Sequence, residues 1–413
     1  MIKKNMGEFI FMKKIYLLGL LLAINFTGCS AILDFAPEEI SSESITTDFY
    51  TETVSIIDST MVETQETKKA TFPHKETEIT TELVNQSEQT LYDKLYLELS
   101  QYHEIIEFDY KIDPDELAEA INLLEHKNPE IFWISAYSLS YNEISSEVAF
   151  KIMNDYQPEQ LKNMSAELEA MIQQIIVSLD KNLSDYEKIL QIHDYLVTHT
   201  EYDSDSALLS EKGIWSTAYG CLINGKSVCQ GYAQAFQMLM NALEIECGIC
   251  SGSAKNEPHV WNYILLNQNY YWVDVTWDDP ISMDSVEQND WIYHSYFLIN
   301  DEMLFRTRML DGKEIFKPEC NSLENNYFVK ENNYLLNYQF TEIDKRLSEH
   351  VTDGKIEVMF ATEDAYQACI QDLFSNNAIW NAKIFQQMGG SVNYQQDSNL
   401  YILRITFEIN LAD

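Results

Sequence analysis

Positive charge is scarce in this chain. Only 27 Lys and Arg stand against 66 Asp and Glu, a net charge of −39 over 413 residues. That balance excludes a nucleic-acid footprint, which needs a basic patch and the counterion release that goes with it. It equally disfavours electrostatic docking on anionic lipid. Cysteine is scarce as well, at seven residues, far too few for a disulfide-built scaffold. Cys247 and Cys250 form a single C-x-x-C, "CGIC", with no second pair at zinc spacing, so a structural metal is set aside. "IECGICSGS" is instead expected to be a buried strand in which cysteine serves as a small hydrophobe. Internal repeats are missing too, and no metal or other cofactor is expected.

What is present begins with an address. From Met12 the chain runs "MKKIYLLGLLLAINFTGCS": two lysines, an apolar run too short to span a bilayer comfortably, then small residues before Cys29. This is the plan of a secretory signal. It resembles the bacterial lipoprotein signal, which implies that residues 1–29 are a signal peptide with Met12 as the true start. The same resemblance implies that Cys29 is lipidated, becomes the new N-terminus and anchors the protein outside the cytoplasm on the bacterial cell membrane.

A chain of this length predicts two or three folded units plus linkers, and 46% hydrophobic residues suffice for large cores. Residues 30–88, rich in Ser, Thr and Glu without apolar periodicity, are expected to be a disordered tether with a reach of about 40 Å. Apolar spacing of three and four in "LYDKLYLELSQYHEIIEF" and "DPDELAEAINLLEHKNPEIFWI" predicts helices, the second capped at Asp113 and Pro114. "SLSYNEISSEVAFKIM" alternates like a strand, so 89–160 is expected to be a small α+β unit. Helices over 161–180 and 185–200 open a further unit spanning 161–324. In 325–413, "NNYFVKEN", "GKIEVMFA" and "LYILRITFEI" are expected to be strands, and "EIDKRLSEHV" and "EDAYQACIQDLF" helices, giving a small α/β sandwich.

Three residues could carry chemistry. In "NGKSVCQGYAQAFQMLMNALEIE", Tyr232, Phe236, Leu239, Met240 and Leu243 share one helical face, with Ser227 placed to cap it. Cys229 then lies in the helix's first turn, where unpaired amides and the positive dipole end favour thiolate. Those amides could also stabilise an oxyanion, and Gly231 would admit a close neighbour. "HVWNYILL" and "NYYWVDVTW" are β-rich runs around Asn267-Gln268, a hairpin pattern. With those two residues as the turn, partner numbers sum to 535 and His259 and Asp274 become diagonal neighbours on one face. A thiolate at Cys229, a base at His259 and an orienting carboxylate at Asp274 would suit attack on an amide or ester carbonyl. Three satisfied core residues would give the same string, and on these residues alone the two readings stand even.

The runs "AYGCLINGKSVCQGYAQAFQMLMNAL", "HVWNYILLNQNYYWVDVTWDDP" and "HSYFLINDEML" resemble the bacterial transglutaminase-like superfamily over about residues 185–310, as does "IHDYLVTHTEYD" upstream. The resemblance implies an α+β, papain-like core with catalytic Cys229, His259 and Asp274 in that chain order. It also implies a cell-surface cysteine enzyme that cleaves or transfers acyl groups from amide bonds of peptides or proteins, cell-wall peptide included, through a thioester. Gln230 stands where animal crosslinking transglutaminases carry tryptophan, so their substrate preference is not transferred. Asn224 and Tyr219 are candidates by position for a side-chain oxyanion donor, and each could equally cap or pack. His193, His199 and His294 are expected to be structural, with Asp278, Asp279 and Pro280 shaping a loop. The competing reading is a non-catalytic cell-wall or protein-binding module on the same fold.

Overall fold

The computed structural model describes residues 50–54, 86–209, 211–279, 291–312 and 316–410. The expected signal peptide, Cys29, Pro280 and most of the expected tether lie outside those residues. Three mixed units follow one another, each with its own sheet, an α+β architecture. Among the described residues no helix is long and apolar enough to cross a membrane.

The first unit contains β1 (Tyr50–Val54), α1 (Gln86–Leu99), β2 (Ile105–Phe108), α2 (Pro114–Lys127), β3 (Ile134–Tyr141) and β4 (Ser146–Ile152). They build an antiparallel sheet of order β1-β3-β4-β2. Helix α2 starts as its sequence demands, with Asp113 accepting the Asp115 N–H at 2.8 Å and Pro114 in the first turn. The run "SLSYNEISSEVAFKIM" is not one strand but two, because Asn142 and Ser145 close a turn between β3 and β4. The expected tether is also corrected at one place. Residues 50–54 pair antiparallel with Tyr137–Tyr141, since an unpaired edge of β3 offers hydrogen-bonding groups that an extended, β-branched "YTETV" can satisfy.

The second unit carries the candidate site. Its helices are α3 (Pro158–Ser178), α4 (Asp185–His199), α5 (Ala218–Leu222), α6 (Cys229–Ala242), α7 (Val275–Asp278) and α8 (Asp301–Leu304). Its strands are β5 (Glu201–Tyr202), β6 (Lys226–Ser227), β7 (Cys247–Ala254), β8 (Glu257–Leu266), β9 (Asn269–Val273), β10 (Phe297–Ile299) and β11 (Arg308–Leu310). The five longer-range strands form an antiparallel sheet, β10-β9-β8-β7-β11, and β5 pairs parallel with β6. Ser184 and Glu187 close a reciprocal capping box at the start of α4. Helix α6 departs from the one-faced pattern: every residue from Gly231 to Met240 is buried. Its outward face is covered by α3, α4 and α5 while its inner face packs on β7 and β8, so it is a central helix rather than a surface one.

The third unit has α9 (Tyr327–Lys330), β12 (Tyr334–Leu335), α10 (Phe340–Glu349), β13 (Lys355–Phe360), α11 (Glu363–Ile370), α12 (Lys383–Met388), β14 (Gly390–Asp397) and β15 (Ile402–Ile409). "NNYFVKEN", expected as a strand, is helical at its centre. Asn326 accepts the Phe328 N–H and the buried Phe328 fixes the turn against the core. Strand β13 is covered on both faces: Ile356, Val358 and Phe360 join the third unit's own core, while Met359 joins Trp261, Trp272 and Tyr296 of the second unit. The two units therefore share a continuous apolar contact.

Candidate active site

Cys229 opens α6 and is half-buried, packed against Ala233, Ile249 and Val260. Its position is held from both sides. The residue before it, Val228, caps the helix in extended conformation and donates its N–H to the Trp215 carbonyl at 2.8 Å. Ser227 is not the cap expected from sequence; its hydroxyl donates to the same Trp215 carbonyl at 2.6 Å, because its strand pairing with Tyr202 turns it away from the helix end. Gly231 is required here by space. A Cβ on it would lie 2.0 Å from the Ser227 hydroxyl and 2.5 Å from the Thr217 carbonyl.

The hairpin forms in the expected register. Asn267 and Gln268 take positive φ, 51° and 67°, and Asn262 faces Val273 through to Leu266 facing Asn269. One detail differs: the strand stops at Val273. Asp274 leaves the ladder to cap α7, one oxygen accepting the Trp277 N–H at 3.3 Å. That turn brings its other oxygen to His259. His259 Nε2 lies 2.9 Å from Asp274 Oδ2, with both residues buried, and the ring stacks beside Trp261 and meets the edge of Trp277.

The electrostatics follow from burial and partners. Burial works against the imidazolium of His259, but the Asp274 charge, its hydrogen bond and a hydrogen bond with Cys229 hold the pKa up at about 9. Burial also opposes the Asp274 carboxylate, yet His259 and then Arg308 keep it below the usual carboxylate range. The structure thus brings together all three residues picked from sequence, as Cys229–His259–Asp274. It adds Arg308, which nothing local in "FRTRML" announces: two of its N–H groups reach Asp274 Oδ2 at 3.1 and 2.6 Å.

Four other cysteines lie deeper in the protein. Burial pushes Cys221 up to about 12 and raises Cys247, Cys320 and Cys369 as well. Tyr219 is spent elsewhere, its hydroxyl donating to Glu167 at 2.5 Å, and Asn224 is exposed in the turn before β6. His193 and His294 join a second buried network: His193 lies 3.0 Å from Asp194 and 3.2 Å from Asp278, and His294 lies 2.8 Å from Asp194. Asp278 also accepts the Tyr296 N–H, and Asp279 accepts the Tyr232 hydroxyl at 2.6 Å. His193, Asp194 and His294 offer donor atoms within 4.8 Å of one another, and their mutual hydrogen bonds account for that grouping. His199 stacks on Tyr195 at the end of α4.

Comparison with known proteins bears on this domain. Residues 172–277 match the family model of the Transglutaminase-like superfamily, a span that contains Cys229, His259 and Asp274. Three solved structures are similar. One is described as a TGase, at 14% identity, TM-score 0.27, covering 47% of this chain and 55% of that one. A candidate cysteine protease from Cytophaga hutchinsonii shares 19% identity, TM-score 0.22, covering 42% and 61%. A candidate protease from Parabacteroides distasonis shares 10% identity, TM-score 0.20, covering 33% and 35%. The chain thus spans less than two thirds of each of these proteins. Comparison with curated proteins gives no match. Over residues 172–277 the chain is thus similar to the transglutaminase-like superfamily, and the units of its described residues are α+β in construction.

Proposed function

We propose that this protein is a cysteine enzyme acting on amide bonds of peptides or proteins through a thioester on Cys229. The observation that carries the proposal is the buried His259–Asp274 pair, 2.9 Å apart, with Cys229 acting on His259 from the first turn of a buried helix. The Cys229 sulfur attacks the carbonyl carbon, and the imidazolium of His259, formed by taking the thiol proton, faces the reacting centre. Asp274 on Nε2 leaves the other ring nitrogen free for that exchange. Negative charge growing on the carbonyl oxygen lies near the unpaired N–H groups of the first turn of α6. When the intermediate collapses, His259 returns its proton to the leaving amine and the acyl group stays on sulfur. Water then gives hydrolysis, and an amine gives transfer.

The test is covalent labelling of the full chain with a thiol-reactive amide-mimetic probe, followed by peptide and glutamine–amine substrate panels. Cys229 is expected to label before any other cysteine, and Cys229→Ala to abolish turnover. Asp274→Asn keeps a hydrogen bond but favours the wrong tautomer, so single-turnover acylation should fall by about 10²–10⁴-fold. Full activity in Asp274→Asn would remove the orienting role; slow, uniform alkylation of all cysteines would favour a binding module instead.

The proposal extends to location: a lipid on Cys29 would hold the enzyme on the outer face of the cell membrane, within reach of wall peptide. Mass spectrometry of the mature N-terminal peptide should find Cys29 first and lipid-modified. An unmodified Cys29 inside a longer chain would overturn it.

A further inference from the structure

Arg308 opens β11, the edge strand that pairs with β7 opposite Ala254. Gly252 on β7 lets this strand close in, since a Cβ there would sit 2.1 Å from the Met309 carbonyl. The arginine is 2% exposed, and its guanidinium is clamped between the rings of Trp277, 4.3 Å away, and Tyr296, 4.1 Å away. Nη1 donates to the Thr307 hydroxyl at 2.8 Å. Nε and Nη2 both donate to Asp274 Oδ2, the same oxygen that faces His259 Nε2. Among the described residues, Asp274 Oδ1 has only the 3.3 Å contact from Trp277 N–H.

A fully buried cation is costly unless a specific charge repays it, and here that charge belongs to the candidate site itself. Resting on the function proposed above for that site, we propose that Arg308 is a positioning residue of the Cys229–His259–Asp274 arrangement, fixing the carboxylate rotamer and sharing Oδ2 with His259 so that the imidazolium is held but not locked. Two consequences separate this role from simple packing. Orientation is one: without Arg308, only the His259 bond itself and the long Trp277 contact would be left to fix the carboxylate rotamer. Charge is the other. Arg308 offsets the Asp274 charge, so its loss lets the carboxylate act on His259 undiluted and keep the proton on the ring to higher pH.

The groups that face this pair are few. Cys229 and Asp274 act on His259, and His259 and Arg308 act on Asp274. Tyr202 and Tyr296 sense Asp274 from β5 and from the segment before β10, with Glu257 and Asp203 beside Tyr202 and Asp397 near Tyr296. Lys255 lies 4.5 Å from the Trp277 ring centre. Among these, Arg308 is the cation that shares Asp274 with the His259 imidazolium.

The experiment follows alkylation of Cys229 by iodoacetate in the full chain as a function of pH, read by peptide mass spectrometry. An anionic probe loses its partner when the imidazolium deprotonates, so wild-type alkylation should fall near pH 9, where His259 loses its proton. Arg308→Met should move that fall upward by about one pH unit. Arg308→Lys keeps a charge but cannot make both bonds; the fall should stay in place while the plateau rate drops about threefold or more. A folded Arg308→Met protein, checked by circular dichroism, whose fall stays at the wild-type pH overturns the proposal. Should that variant not fold, Arg308→Lys decides alone, and a wild-type plateau rate overturns it. Absence of preferential Cys229 alkylation in the wild type would instead overturn the proposed function, and this inference with it.

Discussion

Asp274 shows how much one residue can be asked to do. It ends a strand, caps a four-residue helix, faces His259 and accepts two N–H groups of Arg308. The cap explains the geometry, because leaving the ladder after Val273 is what turns Oδ2 toward the imidazole. Two buried histidines, His193 and His259, are each held up at about 9 by carboxylates that outweigh burial. A histidine titrates near 6.5 when unfolded, so the folded state binds these protons more tightly. Their stabilisation is therefore complete below about pH 6.5 and is lost as pH rises through about 9. Urea unfolding across this window should show stability declining toward alkaline pH. His193→Gln should flatten the decline, and an unchanged slope would show that His193 is not protonated in the fold.

At the scale of elements, the β8–β9 hairpin governs the site. A two-residue loop with both residues at positive φ matches the twist of its strands, and Asn267 suits that conformation. Gln268, at φ 67°, does not: a left-handed conformation costs an ordinary side chain about 1–2 kcal/mol. Gln268→Gly should therefore stabilise the protein by about 1 kcal/mol, measured as a raised unfolding midpoint, without changing Cys229 alkylation. Destabilisation would mean that the Gln268 side chain supplies a contact that the turn geometry does not explain. Helix α6 teaches the opposite lesson. Its apolar stripe is readable from Tyr232 to Met240, yet Gln234 and Gln237 are buried too. Gln234 accepts the Ala218 N–H and Gln237 donates to the His126 carbonyl, so polar residues inside the helix are partners for neighbouring elements.

Across the whole molecule, the sheet of the third unit presses one face onto the aromatic cluster behind the site, through Met359, Leu400 and Ile402 against Trp261 and Trp272. Arg404 adds a hydrogen bond to Ser295 at 2.6 Å and an ion pair with Glu357. The first unit touches the second through the Lys212–Glu125 pair and the Gln237–His126 bond, the latter further along the helix that Cys229 opens. Strand β1 belongs to that first unit alone. Deleting residues 30–80 should leave Cys229 alkylation unchanged while speeding amide hydrogen exchange at Tyr137–Tyr141, where β1 pairs. Unchanged exchange would show that β1 does not hold that edge in solution, and lost alkylation would show that the segment supports the catalytic unit.

The sequence by itself determined what local rules govern. Asp113 with Pro114 starts α2, Cys229 opens α6, and Asn267-Gln268 sets a hairpin whose register follows from turn length, bringing His259 beside Asp274. In each case the deciding contacts lie within a few residues or one hairpin. Tertiary structure alone decided the rest. Arg308 is 34 residues from the carboxylate it holds, and only the closure of an edge strand onto β7 brings them together. "NNYFVKEN" is too short for periodicity to separate helix from strand, so burial of Phe328 chose the helix. Ser227 faces Trp215 rather than its own helix because β5 pairs beside it, and residues 50–54 are a strand because β3 has an edge to fill. Those outcomes depend on which surfaces meet, and a linear pattern does not carry that information.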